Sequence, residues 1–235
     1  MTDVEGINKA AIPRDAATLI LVDFKGKSPK ILMGRRHSSH KFMPNKFVFP
    51  GGRVDPSDRK MNIASPLNQV AEDRILTRIK RPSSQKARAL ALAAIRETYE
   101  ETGVMLGEMG LGAPPLLSGT PWEQFTSREI WPSLDSLHFV ARAITPPRHS
   151  KRFDTRFFLI DAAHIAHIEE GIVGADTELT ETVWIPMNEA KTLDLPSITS
   201  MVIDEISERI AGGLNPYLPV PFFHQVRNNY VREEL

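Results

Sequence analysis

No cysteine occurs among the 235 residues, which excludes disulfides, thiolate nucleophiles and zinc–thiolate centres together. Net charge is missing too: 29 Lys and Arg balance 29 Asp and Glu. No global field therefore points to nucleic acid or a membrane surface. No apolar run approaches the roughly 18 residues needed to span a bilayer. The polar N-terminus, with Asp3 and Glu5, is unlike a secretory signal. Internal repeats and low-complexity tracts are absent. What remains is 41% hydrophobic and 25% charged, an ordinary globular composition, at a length suiting a single domain over 1–235 with elaborations. A cytoplasmic protein without nucleic-acid or membrane partners is expected.

Short β-branched or apolar runs predict strands at residues 18–24, 30–36, 46–49, 137–145, 155–160 and 182–185. The turn composition of Lys25-Gly26-Lys27-Ser28-Pro29 makes the first two a hairpin. Ser65-Pro66 reads as an N-cap and first helical position, followed by a stripe of Leu67, Val70, Ala71, Ile75 and Ile79 up to Lys80. Arg81-Pro82-Ser83-Ser84 breaks the chain and caps a helix over 85–102, with Leu92, Ile95 and Tyr99 as its core stripe. Gly103 fits the left-handed position that ends a helix. Further helices are expected at 188–192 and 197–211. The tail, 215–235, holds three prolines and the aromatics Tyr217, Phe222 and Phe223, which predicts that it packs. Hairpins mixed with a few helices give an α+β sandwich, a mixed sheet with helices on both faces.

The chemistry concentrates in two segments. One is Phe49-Pro50-Gly51-Gly52; the other is Arg96-Glu97-Thr98-Tyr99-Glu100-Glu101-Thr102-Gly103-Val104. Glu97, Glu100 and Glu101 stand at i, i+3 and i+4 on one helix face. Like charges so placed repel by a few tenths of a kcal/mol per pair, and a shared cation removes the conflict. Oxygen-only ligands suit Mg²⁺, Mn²⁺ or Ca²⁺ rather than zinc. A glycine pair lets a backbone carbonyl approach such an ion closely. Divalent metals neutralise phosphate oxygens and activate water, the two requirements of phosphoanhydride hydrolysis.

These two segments together resemble the box of the Nudix hydrolases, which cleave nucleoside diphosphates linked to another group. The resemblance covers about residues 17–190 and implies a Nudix-like α/β/α sandwich with a mixed β-sheet. It implies Mg²⁺ or Mn²⁺ held by Glu100, Glu101 and the Gly51 carbonyl, Glu97 as ligand or base, and Arg96 tying helix to loop. The usual spacing, G-x5-E-x7-R-E, would place the arginine at 66; here it is at 96, an insertion of 30 residues forming a helical insert at about 53–84. The box's first glutamate, counted eight before the arginine, falls on Arg88. Asp55 or an acid of the insert is the expected substitute. The long insert and the late Lys151-Arg152-Phe153-Asp154-Thr155-Arg156-Phe157-Phe158 segment are similar to the subgroup of acyl-coenzyme A diphosphatases. The ending Arg232-Glu233-Glu234-Leu235 is not a peroxisomal address.

Other candidates have weaker patterns. Glu178, in an acidic loop with Glu181, is expected to complete the metal site. Arg35, Arg36, Arg53, Arg152 and Arg156 are candidate ligands for substrate phosphate, since a guanidinium binds such oxygens bidentately. Residues 53–87 hold eight Lys or Arg against four Asp or Glu, read as a solvated helix face rather than a phosphate attractor. His37, His40, His138 and His149 lack ligand spacing, and Phe42, Trp122 and Trp131 are assigned to core or lid packing. Coenzyme A or acyl-coenzyme A is the substrate implied by the subgroup, with a nucleotide sugar or dinucleotide as the alternative. A catalytically silent nucleotide sensor is the competing class, and a homodimer is implied by relatives that dimerise.

Overall fold

Strand β1 (Arg14–Asp23) organises everything around it. The computed structural model describes residues 11–39, 43–147, 149–227 and 229–235; His40 and Phe42 lie outside them. Along β1, Ala17, Leu19 and Leu21 face one core, while Ile20 and Val22 face another, as the two-residue alternation of a strand dictates. It pairs antiparallel with β2 (Lys30–Arg36) in the expected hairpin and parallel with β7 (Phe153–Asp161). A short strand, β4 (Gly51–Arg53), pairs with its N-terminal part. The sheet runs outward from β2 to β3 (Phe47–Val48) and from β7 to β6 (His138–Ile144). Beyond β6 lie β10 (Pro221–Val226) and β11 (Asn229–Glu234), and β9 (Leu179–Pro186) also pairs with β2. Parallel and antiparallel ladders coexist, so the sheet is mixed.

One face carries α2 (Ser84–Thr102), which buries Leu90, Ala91, Ala94 and Ile95 against β1 and β7. The other carries α4 (Ser197–Ala211), whose Val202, Ile203 and Ile206 meet Ile20, Val140 and Phe157. The result is the expected α/β/α sandwich. Beside α2, α1 (Gln69–Ile75), α3 (Trp122–Ser127) and a two-stranded ribbon of β5 (Val104–Leu106) and β8 (Ile165–Ile168) add cover. This explains why α2 is buried on most sides rather than along one stripe. Among the described residues no helix is long and apolar enough to cross a membrane.

Several expected boundaries move. The helix placed behind Ser65-Pro66 starts later, because Asn68 is the residue whose side chain accepts a hydrogen bond from the Val70 N–H, at 2.9 Å. It stops at Ile75, well short of Lys80, and Arg78 and Arg81 follow with φ of 55° and 54°, values no helix continues through. The helix expected at 188–192 is a single 3₁₀ turn, Ala190–Thr192. The tail packs as the β10–β11 hairpin with Phe222 and Phe223 buried, but Tyr217 is 71% exposed. Trp122 is fully buried.

Gly103 ends α2 at φ 75°, and a Cβ there would lie 2.1 Å from the backbone carbonyl oxygen of Glu169. Both backbone strain and a clash with main chain oppose a side chain. Gly103→Ala is therefore expected to cost at least about 2 kcal/mol, measured by urea denaturation.

Candidate active site

Three acids meet at one cavity of about 470 Å³, lined by Gly51, Gly52, Glu97, Glu101, Glu178 and Arg36 among others. Two helical turns of α2 supply Glu97 and Glu101, four residues apart; β4 supplies the glycines; the loop before β9 supplies Glu178. Glu101 is 6% exposed, and its Oε2 accepts the Gly51 N–H at 3.1 Å. Gly51 thus presents its amide to the helix. A Cβ on Gly51 would lie 2.5 Å from the Ala17 carbonyl oxygen, and one on Gly52 would lie 2.4 Å from the carboxyl carbon of Glu97. At Gly51 the clash is with the β1 backbone, so a glycine is needed there, whereas at Gly52 a side chain would displace the Glu97 carboxylate.

Glu100 points elsewhere. Its carboxylate and that of Glu97 both accept from the Arg96 guanidinium, and Glu100 lines an adjoining cleft of about 800 Å³ with Asp55, Arg59 and Arg96. Glu97 stands in the wall between the two spaces. The shared helix face therefore divides around Arg96. Among the described residues no three acid or histidine side chains converge into a preformed cage for a metal ion.

Arg96 is held from the far side by Asp58, a residue assigned no role from the sequence. Its Nε and Nη2 donate to the two Asp58 oxygens at 2.7 and 3.1 Å, and Nη2 also donates to the Arg53 carbonyl at 2.8 Å. Asp58 is fully buried, and also accepts from Trp122 Nε1 at 3.1 Å and the Asp55 N–H at 2.7 Å. Four donors on two oxygens satisfy a buried carboxylate. Asp58 is therefore the insert acid that partners the arginine, while Asp55 caps the 3₁₀ turn Pro56–Arg59. The signal was available: Asp58 follows Gly52 with five residues between, the spacing of the box. The extra residues lie after that acid, not before it. Arg88, at the position counted back from the arginine, donates to the Arg59 carbonyl at 3.0 Å.

The arginines separate clearly. Arg36 lines the cavity and pairs with Glu178 at 3.2 Å, and Arg53 lies on its rim. Arg35, on the opposite side of β2 across a bulge, pairs with Glu181 at 3.0 Å and stacks over Phe47. Arg152 donates to the Thr145 and Ala11 carbonyls and borders a neighbouring cleft. Arg156 is fully buried and paired with Asp154 and Asp15. Because Phe153, Thr155 and Phe157 of the same strand line the cavity, alternation sends Arg156 to the other face of the sheet. Lys151, not singled out from the sequence, does line the cavity.

Burial dominates the electrostatics. Desolvation pushes Glu97 up to about 7, against the pull of Arg96 and with a further push from Glu100. Desolvation raises Glu101 well above its ordinary value, aided by Glu178 and Glu97 and opposed by the Gly51 amide. Glu100 is raised for the same leading reason. Glu97 and Glu101, oxygen donors that repel each other beside one cavity, fit a hard divalent cation, which would relieve both of their shifts.

A carboxyl raised in the folded state contributes stability that is complete below its unfolded value and is lost as pH rises through the folded one. The metal-free protein should thus lose stability from about pH 4.5 to above pH 7, by on the order of 3 kcal/mol from Glu97 alone. Melting in EDTA at about pH 5 and about pH 8, compared with Glu97→Gln, checks this: the variant is expected to show a shallower decline.

No protein-family model matches the chain. A Caenorhabditis elegans protein assigned provisionally as nudix hydrolase 7 is 29% identical over 188 residues, covering 75% of this chain and 52% of that protein. The chain thus spans about half the length of the curated relative it matches. The crystal structure of a NUDIX hydrolase from Alicyclobacillus acidocaldarius superposes with a TM-score of 0.62 at 26% identity, covering 85% of this chain and 96% of the other.

Proposed function

We propose that this chain, a homologue of the Nudix hydrolases in sequence and in fold, is a divalent-metal-dependent pyrophosphohydrolase. It cleaves a diphosphate bond in a nucleoside diphosphate derivative, with water as nucleophile. The observation that carries this reading is the meeting of half-buried Glu97 and buried Glu101 with Glu178 and the Gly51-Gly52 backbone around one cavity.

A divalent cation, Mg²⁺ or Mn²⁺, supplies charge neutralisation on phosphate oxygens and an acidified water. Glu97 and Glu101 would hold it, with Glu178 and the Gly51 carbonyl as further oxygen donors; Glu100, a ligand by the resemblance, lines the adjoining cleft instead. Arg96 keeps Glu97 and Glu100 in place while Asp58 holds Arg96. Arg36 and Arg53, at the cavity and its rim, bind and orient phosphate oxygens. Arg35, Arg152 and Arg156 serve the fold instead, since each is spent on partners away from the cavity. Coenzyme A or acyl-coenzyme A is the preferred substrate, on the subgroup resemblance. The replacement at Arg88, which favoured a silent sensor, loses its weight because Asp58 partners the arginine.

The test is a panel of coenzyme A, acyl-coenzyme A, nucleotide sugars and dinucleotides, incubated with and without Mg²⁺ and read by product mass. Metal-dependent appearance of two phosphomonoester products is expected. No turnover on any diphosphate, alongside tight nucleotide binding, would favour the sensor.

A further inference from the structure

On the wall away from the acids, the cavity is closed by the start of α4, where Pro196 and Thr199 line it. Pro196 is the N-cap residue and offers no side-chain acceptor. The amides of Ser197, Ile198 and Thr199 therefore have no cap, and Ser200 is the first to bond back, to the Pro196 carbonyl at 3.1 Å. A helix start of this kind is not a site by itself.

The second observation is Thr199. Its side chain is 5% exposed, it lines the cavity, and its hydroxyl has no hydrogen-bond partner among the described residues. Hydroxyls further inside the helices bond to the carbonyl four residues back, which for Thr199, in the first turn, lies outside the helix. Thr98 donates to the Ala94 carbonyl at 2.8 Å, and Ser207 of α4 itself to Ile203 at 2.7 Å. The hydroxyl oxygen is not sealed from solvent; it opens on the cavity, where it can hydrogen-bond something that enters. Lys151 brings a positive charge to the same cavity, and none of the ion pairs among the described residues uses it.

We propose that the first turn of α4, the Thr199 hydroxyl and Lys151 form a subsite for a phosphomonoester carried by the substrate, apart from the diphosphate that is cleaved. Up to three amides, one hydroxyl and one ammonium match the several acceptor oxygens and double charge of a phosphomonoester better than the two oxygens of a carboxylate. The positive end of the helix dipole adds to the attraction. The inference rests on the hydrolase reading and deepens it: the substrate is a nucleoside diphosphate derivative bearing an additional phosphate.

The test compares coenzyme A with its 3′-dephospho form, which differ by one phosphomonoester. Wild-type protein is expected to favour coenzyme A in kcat/KM by at least about tenfold. That ratio is expected to collapse toward unity in Thr199→Val and in Lys151→Met, and to survive in Thr199→Ser, which keeps the hydroxyl. Equal use of both substrates by the wild type, or an unchanged ratio in both disabling variants, overturns the proposal. Should no diphosphate be hydrolysed, calorimetry without metal decides separately. Adenosine 3′,5′-bisphosphate binding at least about tenfold tighter than AMP, with the difference lost in Thr199→Val, supports the subsite; equal binding overturns it.

Discussion

Glu101→Gln is expected to lower kcat by about 10²–10⁴-fold while raising the stability of the metal-free protein. The two effects share one cause. Glu101 is buried against Glu97 and Glu178, and burial together with those charges opposes its ionisation. Glutamine keeps the shape, and its carbonyl can still accept the Gly51 N–H that now reaches Oε2. What disappears is the buried negative charge that a cation needs and that the empty fold tolerates poorly. Steady-state kinetics with Mg²⁺ and thermal melting in EDTA measure the two sides. A variant that loses both activity and stability would point to a structural role for Glu101 instead.

Asp58→Ala is expected to be the most damaging single change to stability, by about 3–5 kcal/mol, or roughly 6–20 °C in Tm for a chain of this size. Asp58 accepts four hydrogen bonds at full burial, two of them from Arg96, which is itself 4% exposed. Removing the carboxylate strands a buried guanidinium and leaves the Trp122 indole N–H without its acceptor. Arg96 would then be held by Glu97, Glu100 and the Arg53 carbonyl alone. Activity should fall as well, because the guanidinium that positions Glu97 loses its anchor. Urea denaturation read by tryptophan fluorescence, with Trp122 beside the break, checks the magnitude.

The contrast between these two residues indicates where a sequence can be read and where it cannot. Glu97, Glu101 and Gly103 were legible because helical periodicity and a helix-ending glycine are local properties, whereas the turning of Glu100 toward the adjoining cleft was not. Their placement follows from neighbours within one turn. The strand β2 and the helix α4 were legible for the same reason, through runs of apolar residues and turn composition. Asp58 was hidden because its partner lies 38 residues away, and counting back from Arg96 crosses the insertion. Counting forward from Gly52 does not. Arg156 misled for a simpler reason: one step along β7 exchanges the cavity for the opposite face of the sheet, and register decides which residue faces where. The short ribbon of β5 and β8 was missed because a three-residue strand carries almost no periodic signal of its own.

Thr199 was invisible for a third reason. It stands in no pattern, and only the packing of α4 across the sheet brings it to the space beside the acids; Lys151 stands at the head of the late segment, where the neighbouring arginines drew the phosphate role. Glu178 reaches that space from a loop more than seventy residues after Glu101, where its contact with Arg36 holds it at the rim. Long-range placement of this kind follows from the core, not from the segment that carries the residue.

Mn²⁺ binding followed by electron paramagnetic resonance tests the central claim without reference to any substrate. Wild-type protein is expected to bind the ion, Mg²⁺ to compete for the same site, and Glu97→Gln combined with Glu101→Gln to abolish binding while the fold persists. Equal Mn²⁺ binding by the double variant, or none by the wild type, would contradict a cation site built on these acids.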